Sequence, residues 1–408
     1  MKKLYIILLF PYLLLAQSFL ISTIELPKTY VQNLNPQECD DDCMEDYIDD
    51  HKIFSFLANA SYRLEDSKLE EIRKKYISIF NLNSKIKNGK VKIALLLPYK
   101  KIGRYAASTT NASFAYLMTR NQPFELKSYK LETETFEDIS KTIKQIQDDG
   151  FDYIIAPLTQ AGEEVITNLD PEIDIYFPTI NKKDSKSNSK HLHFGGIDYR
   201  AQSDILINES ISPLIVFYDK STIGQSLSKY QEEIFLEKEP EDMNSSVIKF
   251  LIPKRTTNLE KQLKENSDIN MGTFFINTPI IKSGMIMSQL TLYDTNSTNI
   301  LSTQTNYNPL LLSMTQYKDR KNMIIANSIT QHKDVIIETN SLLGNDIVYD
   351  WINYTTTVGV DYFLYLLNGQ KREYDIEIED NQMIYPIKLI QPSVSRFIPY
   401  HLVSEDEI

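Results

Sequence analysis

The chain has 408 residues, 42% of them hydrophobic and 24% charged, and a formal net charge of −12 at pH 7. That is ordinary globular composition, with length enough for two or three domains. The acid excess argues against nucleic acid as a partner, because neutralising phosphates requires a basic face.

The first stretch, "MKKLYIILLFPYLLLAQS", sets two lysines ahead of a long apolar run. It reads as a secretory signal peptide over residues 1–16, cleaved between Ala16 and Gln17. An uncleaved anchor is the alternative, but Pro11 and the short run argue against a membrane span. No cysteine stands at the cleavage point, so no bacterial lipid anchor is expected. The mature protein is expected to be soluble and periplasmic.

Residues 17–90 read as an acidic segment, short helices and a linker. The run "ECDDDCMEDYIDD" reads as a solvated, partly ordered stretch. Its Cys39 and Cys43 are the chain's two cysteines. At i,i+4 spacing on a helix they come within disulfide range, and an oxidising compartment favours a local bridge. A metal site with the neighbouring aspartates and His51 is the weaker alternative, since no second Cys or His pair sits at finger spacing. Two amphipathic helices follow, broken around Asn59 to Leu64. The second carries Leu69, Ile72, Tyr76 and Ile79 or Phe80 on one face. "NSKIKNGK" is a polar linker.

From Val91 the chain alternates strand and helix. "VKIALLLPY" reads as a buried strand, "FELKSYKLE" as a second, and "TFEDISKTIKQIQDDG" as a helix stopped at Gly150. "FDYIIAP" is a strand feeding a helix that carries Glu163 to Leu169, and "IDIYFPTIN" and "HLHFGG" continue the series. A second set runs through "SPLIVFYD", "SSVIKFLIP", "GTFFINT" and "NILSTQTNYN", with helices between. Strands apolar on both faces are those of a parallel sheet covered by helices, and the alternation predicts α/β layers with right-handed crossovers. "NMIIANSI" is a further strand, followed by one long apolar helix. "KREYDIEIEDNQMIYPIKLI" reads as a hairpin turning near Asp380 and Asn381.

The expected organisation is two lobes: 91–210 in lobe 1, 211–305 in lobe 2, a return to lobe 1 over 306–370, and a hairpin and tail over 371–408. "VKIALLLPYKKIGRYAASTTNASFAYLM" is similar to the opening of type I periplasmic binding proteins. "DDGFDYIIAPLTQAGEEV" resembles their second βα unit, and "LIVFYDKSTIGQSLSKYQEEI" the first unit of their second lobe. Within that family the start and the helices ahead of it look most like the C-terminal half of the outer-membrane activators of penicillin-binding proteins.

The resemblance implies a bilobed α/β fold and a cleft between the lobes. In ligand-binding members, hydroxyls and N–H groups at the helix start after the third strand take the ligand carboxylate. Here Thr159 and Gln160 stand at that place, and Asn181 lies in the next βα unit. Tyr218, Asp219 and Asn277 stand at strand ends of the second lobe. The same residues also fit plain helix caps and strand ends. No arginine occupies these strand ends, and Ala156 replaces the usual glycine.

No G-x-S-x-G, P-loop or H-E-x-x-H motif occurs, so neither enzymatic activity nor a cofactor is expected. His191 and His193 share a strand face but lack a third ligand. The 25 tyrosines suit interaction surfaces as well as cores. "DMNSS" and "DTNST" match an extended acidic-x-Asn-x-Ser/Thr sequon, making Asn244 and Asn296 candidate glycan acceptors. The leading expectation is a non-enzymatic scaffold or protein-interaction module of the envelope. It would belong to a multi-subunit assembly such as the flagellar motor, or regulate peptidoglycan synthesis. The alternative is a solute-binding protein of a transporter or sensor, clamping a small polar ligand.

Overall fold

The computed structural model describes residues 31, 39–60, 64, 66–80, 82, 90–120, 123–238, 246–368 and 372–400. The signal-peptide segment and Asn244 lie outside them. Helices of six residues or more are numbered α1–α12. The chain separates into an N-terminal helical unit and a larger unit that begins at Val91.

The N-terminal unit holds α1 (Asp41–Asp49), α2 (Ile53–Asn59) and α3 (Ser67–Ile79). Within the acidic run, expected to be solvated and partly ordered, Asp41–Asp49 form helix α1. Asp40 accepts the Cys43 N–H as N-cap, and Asp41 and Asp42 lie where the helix dipole favours negative charge. Cys39 and Cys43 are bonded across that first turn, with Cα atoms 5.4 Å apart. Met44, Phe56, Leu57, Ala60, Leu64 and Leu69 form the core. Arg73, buried, donates to the Ala60 carbonyl at 2.7 Å and pairs with Glu70 at 3.2 Å. Glu70 in turn accepts the Leu64 N–H, which fastens the break between α2 and α3.

The larger unit contains two seven-stranded sheets. Sheet 1 has the order β11-β12-β5-β4-β3-β1-β2. It comprises β1 (Val91–Leu97), β2 (Phe124–Lys130), β3 (Tyr153–Ile155), β4 (Asp174–Phe177), β5 (Leu192–Phe194), β11 (Glu377–Glu379) and β12 (Gln382–Ile384). Its helices are α4 (Tyr105–Met118), α5 (Phe136–Asp148), α6 (Gln160–Leu169), α11 (Asp334–Leu342) and α12 (Trp351–Asn368). Ile139, Ile143 and Ile146 of α5 and Ile166 of α6 seal one face. On the other, Phe363 of α12 packs on Tyr153 and Tyr176, with ring centroids 4.7 and 6.3 Å apart.

Sheet 2 has the order β14-β13-β10-β9-β8-β6-β7. Its strands are β6 (Leu214–Tyr218), β7 (Val247–Leu251), β8 (Thr273–Asn277), β9 (Ile300–Ser302), β10 (Met323–Asn327), β13 (Lys388–Pro392) and β14 (Phe397–Pro399). Around it lie α7 (Tyr199–Ile207), α8 (Thr222–Lys238), α9 (Ile280–Leu292) and α10 (Pro309–Met314). Leu206, Ile207, Ile234 and Phe235 of α7 and α8 cover one face. Ile286, Met287 and Leu290 of α9 cover the other. The inner strands β1, β6, β8 and β10 are almost fully apolar, as strands buried on both faces require, whereas β2 and β7 at the sheet edges are partly exposed.

Three crossings join the lobes, at residues 195–198, 328–333 and 385–387. The sequence reading returns the chain to lobe 1 at residue 306, but Met323–Asn327 pairs with β9 inside sheet 2. The short helices of the β9–β10 connection hide an ordinary βα crossover there. Likewise the C-terminal part is two hairpins rather than one: β11–β12 extends sheet 1 and β13–β14 extends sheet 2. Asp380 and Asn381 both have positive φ, which the two-residue turn between β11 and β12 requires. At the first crossing a Cβ on Gly196 would land inside the backbone of Ile180 and Asn181, so only glycine fits.

Candidate functional site

The start of α6 follows β3 directly, so its first N–H groups and the positive end of the helix dipole project from the strand ends. A carboxylate already sits there. Glu134, on the loop between β2 and α5, accepts the Thr159 N–H at 2.8 Å and the Thr159 hydroxyl at 2.5 Å. Gly162 lies beneath it, where a Cβ would meet the Glu134 carboxylate at 2.8 Å. The place that the family resemblance assigns to a ligand carboxylate is thus filled from within the chain.

The neighbouring candidates are spent on similar internal bonds. Gln160 donates to the Asp184 carbonyl at 2.6 Å and to Glu163 at 3.2 Å. Glu163 is buried and also accepts the hydroxyls of Thr167 and Ser185, each at 2.6 Å. Asn181 donates to the Gly196 carbonyl at 3.1 Å and accepts the Lys183 N–H at 3.0 Å, which ties its loop to the first crossing.

In lobe 2, Tyr218 and Asn277 stand side by side at the ends of β6 and β8. Asn277 is buried in a reciprocal amide pair with Gln231 of α8, at 2.6 and 3.2 Å. Asp219 accepts from the N–H and hydroxyl of Ser221, at 3.0 and 2.5 Å, and so shapes the turn into α8. Tyr218 borders a hollow of about 320 Å³ with Lys220, Lys229 and Lys249. Among the described residues, no hydrogen bond links the lobe 1 candidates to those of lobe 2.

A second hollow, about 440 Å³, lies where the crossings meet, with Asn181, Asp198, Ser328, Met383 and Tyr385 in its walls. His332, on the second crossing, is 3.0 Å from the Tyr374 hydroxyl and packs edge-on against Tyr354 and Tyr374. Burial pushes its pKa down to about 4. Because the folded value lies below the unfolded one, the stability of burying a neutral His332 is fully present above about pH 6.5 and is lost as pH falls towards 4. We expect the loss to reach about 2 kcal/mol between pH 7 and pH 5. Denaturant titrations of the parent and of His332→Gln at both pH values measure it, and equal slopes in the two proteins would refute it.

His191 and His193 both reach Asp174, at 3.4 and 2.9 Å. Among the described residues no group of three His, Cys, Asp or Glu side chains is placed to hold a metal ion. No helix of the described residues is long and apolar enough to cross a membrane.

Two lobes of mostly parallel sheet joined by three crossings give this chain the type I periplasmic-binding-protein fold. The sequence matches no protein-family model and no curated protein. Among solved structures it is similar to the branched-chain amino acid transporter substrate binding protein LivJ from Streptococcus pneumoniae, in complex with isoleucine. That match has 10% identity and a TM-score of 0.56, covering 76% of this chain and 98% of LivJ. A branched chain amino acid ABC transporter periplasmic ligand-binding protein from Burkholderia xenovorans LB400 matches at 9% identity and TM-score 0.57, covering 76% and 95% of the two chains. Full-length LpoA from Haemophilus influenzae matches at 12% identity and TM-score 0.52, covering 88% of this chain and 65% of LpoA.

Glu134 is the residue that sequence reasoning missed. It stands 25 positions before Thr159, and no local pattern in "ETETF" marks it as the partner of that helix.

Proposed function

We propose that this chain is a non-enzymatic protein-interaction module of the cell envelope that has kept the binding-protein fold and closed its ligand site. The observation that carries this reading is the Glu134 carboxylate on Thr159 at the start of α6. An external amino acid would have to displace a tethered carboxylate that is already hydrogen-bonded and at high effective concentration. The engaged side chains of Gln160, Asn181, Asp219 and Asn277 support the same reading. So does the resemblance of the opening stretch to the outer-membrane activators of penicillin-binding proteins, together with the fold shared with LpoA. The partners are periplasmic proteins of an assembly such as a wall-synthesis complex or the flagellar motor.

Affinity purification of the crosslinked, tagged protein from its own host tests this reading. We expect envelope proteins in stoichiometric amount, and no thermal shift with the common amino acids. Recovery of a permease alone, with a shift of several degrees by one amino acid, would establish the solute-binding alternative.

Asn296 is exposed on the connection between α9 and β9, where a glycan has room. In a host with a periplasmic oligosaccharyltransferase, Asn244 and Asn296 each carry a glycan, and Asn→Gln at either position lowers the intact mass by one glycan. An unmodified intact mass from such a host would rule this out.

A further inference from the structure

The lobes meet at an aromatic cluster that includes none of the ligand-site candidates. Tyr307, just after β9, and Phe397 on β14 belong to lobe 2, and their ring centroids are 5.0 Å apart. Tyr349, on the lobe 1 loop before α12, lies 4.9 Å from Tyr307 and 6.0 Å from Phe397. All three rings are half-buried and in mutual contact.

Both halves of the cluster are fixed in their own lobes. On the lobe 1 side, Asp346 accepts the N–H groups of Val348 and Tyr349 at 2.9 and 3.0 Å, and Asn353 of α12 donates to the Asp346 carbonyl at 2.9 Å. On the lobe 2 side, Arg320 is buried and reaches the carbonyls of Ser393 and Val394 at 3.1 and 2.9 Å. That arginine holds the β13–β14 turn and with it Phe397. A ring held on one lobe is therefore seated against two rings held on the other.

We propose that Tyr349 is a latch that keeps the lobes in the relation described here, so that the bilobed unit works as one rigid body and not as a hinge. Opening the lobes would break two aromatic contacts together, because neither half can follow the other. The inference goes beyond the interaction reading above and holds whether or not a partner binds.

Interlobe distance tests it. Spin labels at Lys144→Cys on lobe 1 and Asp268→Cys on lobe 2 sit at exposed positions, and the native cysteines are bonded to each other and stay unlabelled. Double electron–electron resonance on the full chain should give one narrow distance distribution, kept by Tyr349→Phe. In Tyr349→Ala it should gain a second, separated population, with the latched-to-open ratio falling at least tenfold. Tyr307→Ala removes the contact from the other lobe and should give the same second population, which decides the matter if Tyr349→Ala fails to fold. A folded Tyr349→Ala or Tyr307→Ala with the parent's distribution would overturn the latch, as would a parent that already shows both populations. Either result is independent of partner capture.

Discussion

Asp361→Ala will lower the melting temperature by roughly 6 °C, the largest loss we expect from a single polar side chain in this protein. Asp361 lies on α12 and is 2% exposed. Its carboxylate accepts the Tyr116 hydroxyl at 2.5 Å and the N–H groups of Glu373 and Tyr374 at 2.9 and 3.3 Å. Arg120 and Arg372 approach it at 3.3 and 3.6 Å. Burial pushes the carboxyl above the usual range, against the pull of those N–H groups and guanidinium ions. The cluster therefore gives little net stability by existing, yet removing one member strands the others. Breaking a buried pair costs about 3–5 kcal/mol, because two half-buried arginines and two backbone donors lose their acceptor at once. Asp361→Asn keeps an acceptor of the same shape and should lose about half as much. Thermal melts followed by circular dichroism measure both, and a change below about 2 °C in the alanine variant would show that the cluster does not hold α4, α12 and residues 372–374 together.

Glu134→Ala has the second largest expected effect and bears on function. It removes two hydrogen bonds to a charged acceptor at a half-buried position, a loss of about 2 kcal/mol. It also leaves the start of α6 with donors that suit any small carboxylate. At about 100 mM, acetate should restore about 1.4 kcal/mol to the variant if it binds with a dissociation constant near 10 mM, and should do nothing for the parent. Sodium chloride at equal ionic strength controls for screening. If acetate and chloride act alike on the variant, the helix start has lost the geometry of a carboxylate site, and the closed-site reading needs another basis.

Much of the fold was legible because burial on both faces leaves few options for a strand. "ALLL" in β1, "LIVF" in β6 and "TFFI" in β8 admit no half-exposed strand, and each is followed by a helix-period segment. Less was legible where charge masked periodicity. In α1 the spacing of Met44, Tyr47 and Ile48 gives a helical face, but eight acidic residues in "ECDDDCMEDYIDD" hide it. The candidate site was legible only as a place. That Thr159 starts a helix after a buried strand follows from local sequence. That Glu134 fills it does not, because the contact depends on where two successive crossovers set their loops. Asn277 is similar: its amide looks free at a strand end, and its partner Gln231 is supplied by a helix 46 residues earlier.

The path of the chain through the lobes also governs how they are made. Sheet 1 is begun by β1–β5 and finished by β11–β12, and sheet 2 is begun by β6 and finished by β14. An emerging chain has the first five strands long before α12 arrives to cover Tyr153 and Tyr176. Neither lobe can complete before synthesis passes residue 380, so the first sheet waits, half-covered, from β5 until α12 emerges. Pairing strands this far apart in sequence is slow and lengthens the window for aggregation.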